Sequence, residues 1–167
     1  MTPVVRNFMR QQGFADEPPD ACDMHFQGLY FQPRIMFTLV VLAILLQNAA
    51  VFLVLSAILW WNVVLPAANP FEAAYNRWIA APRGTAPLMP APGPRRFAQG
   101  MAAAFMLGTG LALLGHEPVF AWVLEGFLVI AFSALLFGRF CLGAYVYHLL
   151  KGRVAFANST LPWARPD

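Results

Sequence analysis

From Val119 to Gly138 the chain carries one ionisable residue, Glu125, in twenty positions. A helix rising about 1.5 Å per residue needs about 20 apolar residues to cross a hydrocarbon core about 30 Å thick. The run continues through Arg139, Phe140, Cys141, Leu142, Gly143, Ala144, Tyr145, Val146, Tyr147 and His148 with no proline and no polar cluster. This predicts one long helix from about 118 to 150 that crosses a membrane and carries a cysteine where it emerges.

Charged residues make up 11% of the chain and hydrophobic ones 59%. A soluble domain carries about 25% charged residues, so lipid is expected to be the solvent for much of this surface. The 167 residues permit one domain. A net charge of +3 does not point to nucleic acid, because the basic residues flank apolar segments and form no separate face. The first 30 residues include Arg6, Arg10, Asp16, Glu17, Asp20 and Asp23 and no apolar core of a cleavable leader. Residues 1–28 are therefore expected to form an extramembrane arm, and 152–167 a tail.

The segment 29–65 is almost unbroken apolar sequence, and Gln47-Asn48 is the polar pair within it. A single helix from 35 to 65 would be about 46 Å long. A turn at Gln47-Asn48 gives helices of about 33–46 and 49–65; one long tilted helix is the alternative. The central loop, 66–94, holds seven of the fourteen prolines. Within it Asn69-Pro70-Phe71-Glu72 reads as a helix start, with a cap, a proline at the first position and an acid in the first turn. Phe71, Ala74, Tyr75, Trp78 and Ile79 then form one apolar stripe, with Asn76 and Arg83 opposite. This predicts a helix over 70–81 lying flat in the membrane interface, or packed on a partner subunit.

A further helix is expected over about 95–114. Gly100, Ala104, Gly108 and Ala112 recur every four residues. In lipid, small residues let backbones approach closely. The stripe is read as a helix-packing face, expected against the 118–150 helix, with a lipid or quinone slot as the alternative. Pro33-Arg34 and Pro94-Arg95 open the two apolar pairs, a faint internal repeat of two hairpins. The expected fold is an all-α, integral membrane four-helix bundle.

All eleven Lys and Arg residues lie in the arm, the central loop and its flanks, or the end of the last helix and the tail. With four crossings these segments share one side, which the positive-inside rule makes the cytoplasm. The expected location is a bacterial inner membrane with both termini cytoplasmic. Trp60, Trp61 and Trp122 suit interfacial belts.

Glu125 is the acid inside the predicted span. Such residues usually face the bundle or water, as a proton or polar-ligand contact or as a neutral, hydrogen-bonded carboxyl. Cys141, Tyr145 and His148 sit at i, i+4 and i+7. The arm contains Cys22-Asp23-Met24-His25. Should the arm fold back, Cys22, His25, Cys141 and His148 would be candidate ligands for a soft metal, although no doubled zinc-type spacing is present. Phosphate-loop, nucleophile-elbow and HExxH patterns are absent.

Three stretches resemble a bacterial membrane family known as domain of unknown function 4395. They are the proline-rich connector into Pro94-Arg95-Arg96-Phe97-Ala98-Gln99, the paired-hairpin hydropathy, and Phe140-Cys141-Leu142-Gly143 followed by Tyr147, Leu149 and Leu150. The resemblance spans about 33–153. It implies a second cysteine three residues after the first, a pair suited to thiol or sulfur handling. This chain has Ala144 there, which leaves Cys141 without a local resolving partner.

Three functions follow as expectations. The first is a non-enzymatic accessory or assembly subunit of a larger membrane complex, with other membrane subunits as partners. The second is a thiol or sulfur-handling protein using Cys141. The third is a metal or quinone binder. Composition and spacing specify no cofactor.

Overall fold

The structure, a computed structural model, describes residues 2–14 and 26–164, and these are helical and loop throughout. Helix α1 (Pro3–Gln12) starts at Thr2, whose hydroxyl accepts from the Val5 N–H, and ends at Gly13 in the left-handed region. Helix α2 (Phe31–Leu46) continues a helical run that begins at Phe26. Gln47, left-handed at φ +45°, closes α2, and its N–H and that of Asn48 donate to Ile44 O and Ala43 O. The Asn48 side chain then caps α3 (Ala49–Val64) by accepting from the Val51 N–H. A short 3-10 turn over Pro66–Ala68 leads to α4 (Pro70–Tyr75). Helices α5 (Gly93–Leu114), α6 (Pro118–Leu136), α7 (Leu142–Leu150) and α8 (Val154–Ser159) follow.

Three of these helical runs are long and apolar enough to cross a membrane: Phe26–Leu46, Gly93–Leu114 and Pro118–Leu136. Helix α3 is apolar but has 16 residues, about 24 Å of rise against a core of about 30 Å. Helix α5 is the hub, packed on α3, α6 and α7. Its contact with α3 is held at the end of α3 and again near its middle. Arg96 donates to Val63 O through Nε at 3.1 Å and Nη2 at 2.7 Å, which satisfies a carbonyl at the end of α3. Deeper in, Ser56 Oγ donates to Ala103 O at 2.8 Å.

The small-residue stripe of α5 is split among neighbours. Gly100 faces Val63 and Trp60 of α3, Gly108 faces Leu124 of α6, and Ala112 is buried. Ala104 is exposed. The close face against α3 runs instead through Ala103, Met106 and Gly110, where a Cβ on Gly110 would lie 2.8 Å from the Leu53 side chain. A strict four-residue spacing drifts around a 3.6-residue helix, so one such row cannot stay on one neighbour.

The single helix expected over 118–150 is corrected. Helix α6 ends at Leu136, and α7 begins at Leu142. The chain leaves α6 through Gly138, where a Cβ would sit 2.7 Å from Ala134 O, and through Arg139 at φ +51°. The Phe140 N–H returns to Ala134 O at 3.1 Å. Gly138-Arg139 is the one polar interruption between α6 and α7, and Phe137, Phe140 and Cys141 around it keep the run apolar, so it reads as the end of a span rather than as a break.

The helix in the central loop also differs. After α4 the backbone widens into a π segment over Asn76–Ala80 before a last α turn, Ala81–Arg83. The extra residue rotates the face: Glu72, Tyr75 and Ala80 are buried and Trp78 is 71% exposed. Asn76, expected on the polar side, turns inward and clamps the connector. Its Oδ1 accepts from Leu88 N at 2.7 Å and its Nδ2 donates to Leu88 O at 3.2 Å.

Helix α1 folds back onto α5 and α7. Asn7 Nδ2 donates to Leu161 O and Ala164 O, both at 3.0 Å, so the two ends of the described chain are tied together. Phe8, Phe26 and Tyr30 form an aromatic cluster there, and the Tyr30 hydroxyl donates to Leu135 O at 3.0 Å.

Candidate functional site

Between α2, α5 and α6 lies a cavity of about 290 Å³ that reaches the start of α7. Ligand pockets run from about 300 to 1,000 Å³, so it sits at the small end, with room for a small molecule or part of a lipid chain. Its walls are apolar: Met36 from α2, Leu59 from α3, Phe105 from α5, and Leu128 and Phe132 from α6. Phe127 and Leu142 on its lining are exposed, 53% and 39%, which opens the cavity on a lipid-type surface.

One end is polar. Arg95 and Gln99 come from the first turns of α5, Gln32 from the first turn of α2, and Gln12 from the end of α1. Arg95 is 6% exposed, and its Nη2 lies 3.8 Å from Glu72 Oε1 of α4. A buried charge is tolerated only when it is paired. Burial pushes the Glu72 carboxyl up from the usual carboxylate range, against the pull of the Arg95 guanidinium and the Asn69 side chain. Arg95 Nη1, Gln99 Oε1 and Glu72 Oε1 are buried without a hydrogen-bond partner among the described residues. A buried polar group left unpaired costs about 1–3 kcal/mol, and these atoms mark the polar end of the cavity.

Cys141 closes the same end. Its backbone N–H donates to Gln11 Oε1 at 2.8 Å, and its side chain lines the cavity. Burial pushes the thiol up; the N–H groups of Ala144 and Gly143 at the start of α7, the Gln12 side chain and the Arg95 charge pull the other way. A raised thiol is a poor nucleophile at neutral pH. Ala144 is fully buried. Gly143 lies against Ala98 of α5, where a Cβ would come within 2.7 Å of the Ala98 backbone.

Cys141 and His148 both meet Gln11. His148 Nε2 lies 3.0 Å from Gln11 O, so that nitrogen carries the proton, and the ring packs against Phe156 and Tyr147. The Tyr145 hydroxyl donates to Asn158 Oδ1. Cys22 and His25 lie outside the described residues. Among the described residues no group of three or more His, Cys, Asp or Glu side chains could hold a metal ion. Glu125 accepts from Gln47 Nε2 through both oxygens, at 3.1 and 3.2 Å, which ties α6 to the α2–α3 turn. It is separate from the cavity lining.

Sequence spacing did not single out the polar end of the cavity. Arg95 and Gln99 are i, i+4 at the start of a largely apolar helix that also carries Arg96, and that spacing is the available signal. Gln32 and Gln12 carry no such mark.

An all-helical chain with three helices able to span a bilayer and a pocket opening on their apolar surface is a helical membrane protein. The family model for the domain of unknown function DUF4395 matches residues 27–152, and the chain belongs to that family. No curated protein and no solved structure matches it.

Proposed function

We propose that this protein is a multi-pass binder of an elongated amphiphile, taken laterally from the bilayer into the α2–α5–α6 cavity. The observation that carries the reading is the pairing of apolar walls with a polar end in which Arg95 Nη1 has no partner among the described residues. The apolar chain would lie along Met36, Phe105 and Phe132, and the head would meet Arg95 and Gln99. This is the lipid or quinone-type reading rather than the thiol or metal one. The buried, raised thiol of Cys141 and the alanine at position 144 argue against disulfide exchange. The exposed Leu, Phe and Trp side chains on the helices suit lipid as well as a partner subunit, so they do not favour an accessory role.

In this reading α3 makes a fourth, short crossing of a bacterial inner membrane. The arm, the central loop and the tail lie together on the cytoplasmic side, with the α4 segment at the interface. The placement of all eleven Lys and Arg residues supports that topology.

The test is extraction of the full-length protein, purified in mild detergent, and mass analysis of what leaves with it. One amphiphile enriched over bulk lipid, and lost in the cavity-filling variant Ala102→Phe, is expected. Equal composition to bulk lipid in both proteins would overturn the reading. Reporter fusions in the 85–92 connector and at the C-terminus should report the same side.

A further inference from the structure

We infer that the head of the molecule held in this cavity is uncharged and both donates and accepts a hydrogen bond, as a primary amide or an alcohol does. The inference rests on the amphiphile-binding reading above and adds the chemistry of the head.

The orientation of Gln99 is fixed by a chain of bonds that starts outside the cavity. The Phe71 N–H at the start of α4 donates to Asn69 Oδ1 at 3.0 Å. The Asn69 amide is thereby oriented, and its Nδ2 donates to Gln32 Oε1 at 3.3 Å. Gln99 Nε2 donates to the same oxygen at 3.0 Å. Turning the Gln99 amide over would set oxygen against oxygen. Gln99 Oε1 is therefore held as an acceptor, buried and without a partner among the described residues.

Arg95 supplies the complementary donor. Its Nη2 faces Glu72, and its Nη1 is unpartnered among the described residues. On the cavity lining this leaves one donor, Arg95 Nη1, and one acceptor, Gln99 Oε1, without a partner among the described residues; Glu72 Oε1, which also makes no hydrogen bond there, is held 3.8 Å from Arg95 Nη2 and lies off the lining.

The charge balance decides the rest. Glu72 already neutralises Arg95, and both side chains are less than a tenth exposed. An anionic head would bring a third charge into a site of low dielectric, at a desolvation cost of several kcal/mol. A quaternary ammonium would meet a guanidinium and offer Nη1 no acceptor. An ester or ketone accepts from Nη1 but leaves Gln99 Oε1 unmet.

The test uses the full-length protein in detergent and four labelled probes with one 16-carbon chain: hexadecanamide, methyl palmitate, hexadecanesulfonate and hexadecyltrimethylammonium. Hexadecanamide should bind saturably and at least about tenfold more tightly than the other three, a gap equal to about 1.4 kcal/mol. Glu72→Gln should shift preference toward the sulfonate at least fivefold. Gln99→Leu should erase the advantage of the amide over the ester. Sulfonate binding as tight as the amide, or saturable binding blind to the head, would overturn the head inference and leave the amphiphile reading standing. Absence of saturable binding by every probe would overturn both. The wild-type ratios decide the question even where a variant fails to fold.

Discussion

Cys141 and Gln11 lie 130 residues apart and share a 2.8 Å hydrogen bond, backbone N–H to side-chain oxygen. The same Gln11 faces His148 through its backbone oxygen and lies 3.5 Å from Thr160 Oγ1 through Nε2. One side chain of α1 thus holds the break before α7 and the tail together, directly over the polar end of the cavity.

Gln11→Leu should therefore loosen α1. It leaves the Cys141 N–H unpaired at a cost of about 1–3 kcal/mol. In a Cys22→Ser background, alkylation of Cys141 by a small maleimide should speed up about tenfold, as expected when a closed state loses about 1.4 kcal/mol. Mass spectrometry of the time course measures it. An unchanged rate would show that α1 does not guard the thiol.

The thiol itself gives a pH dependence. Burial raises its folded pKa above that of the unfolded chain. Its contribution to stability is thus fully present below the unfolded value and is lost as pH climbs through the folded one. The alkylation profile of the native Cys22→Ser protein should have its midpoint at higher pH than the same protein unfolded in denaturant. Coincident midpoints would contradict the burial argument.

Much of the frame was legible in the sequence, for physical reasons that also mark where legibility stops. Gln47-Asn48 reads as a turn because it is a polar pair inside an apolar run, and α2 ends and α3 begins on either side of it. Asn69-Pro70 reads as a helix start because a cap and a proline suit the first turn, and α4 begins there. The break at 137–141 is marked only by Gly138-Arg139, which also suits the interfacial end of a continuous helix. It depends on Arg139 adopting a left-handed φ and on Gly138 approaching Ala134 O, backbone geometry that residue type alone does not specify. The π segment at Asn76–Ala80 shifts the buried face by one residue, which a fixed 3.6-residue period cannot express. The arm reads as an extramembrane polar segment. That reading does not foresee that Asn7, Gln11 and Gln12 are buried; the amides of Asn7 and Gln11 bond to backbone and hydroxyl groups far along the chain, and Gln12 meets the Cys141 thiol. Arg34 and Arg95 looked equivalent in the faint repeat, yet Arg34 is exposed over the Tyr30 ring and Arg95 is buried beside Glu72.

Gln47 and Glu125 offer a coupling test within the bundle. Removing Gln47 leaves the Glu125 carboxyl, 4% exposed, without this side-chain partner. Gln47→Ala and Glu125→Ala should each lower the thermal midpoint in detergent. Together they should cost less than their sum, with a coupling of about 0.5–3 kcal/mol. Strict additivity would mean that the contact carries no energy.

Two glycines separate packing from propensity. At Gly143 a Cβ would lie 2.7 Å from the backbone of Ala98, and at Gly126 nothing lies within 4 Å. Gly143→Ala forces α7 away from α5, and overpacking of this kind costs about 1–3 kcal/mol. It also moves Cys141, two residues before it, so amphiphile binding should weaken with stability. Gly126→Ala adds a methyl to an exposed helical position, where alanine is favoured over glycine by up to about 1 kcal/mol. Its thermal midpoint should stay level or rise, with binding unchanged. The opposite order of midpoints would mean that α7 does not seat on α5 at Ala98, and the cavity's polar end would lose the wall that Cys141 supplies.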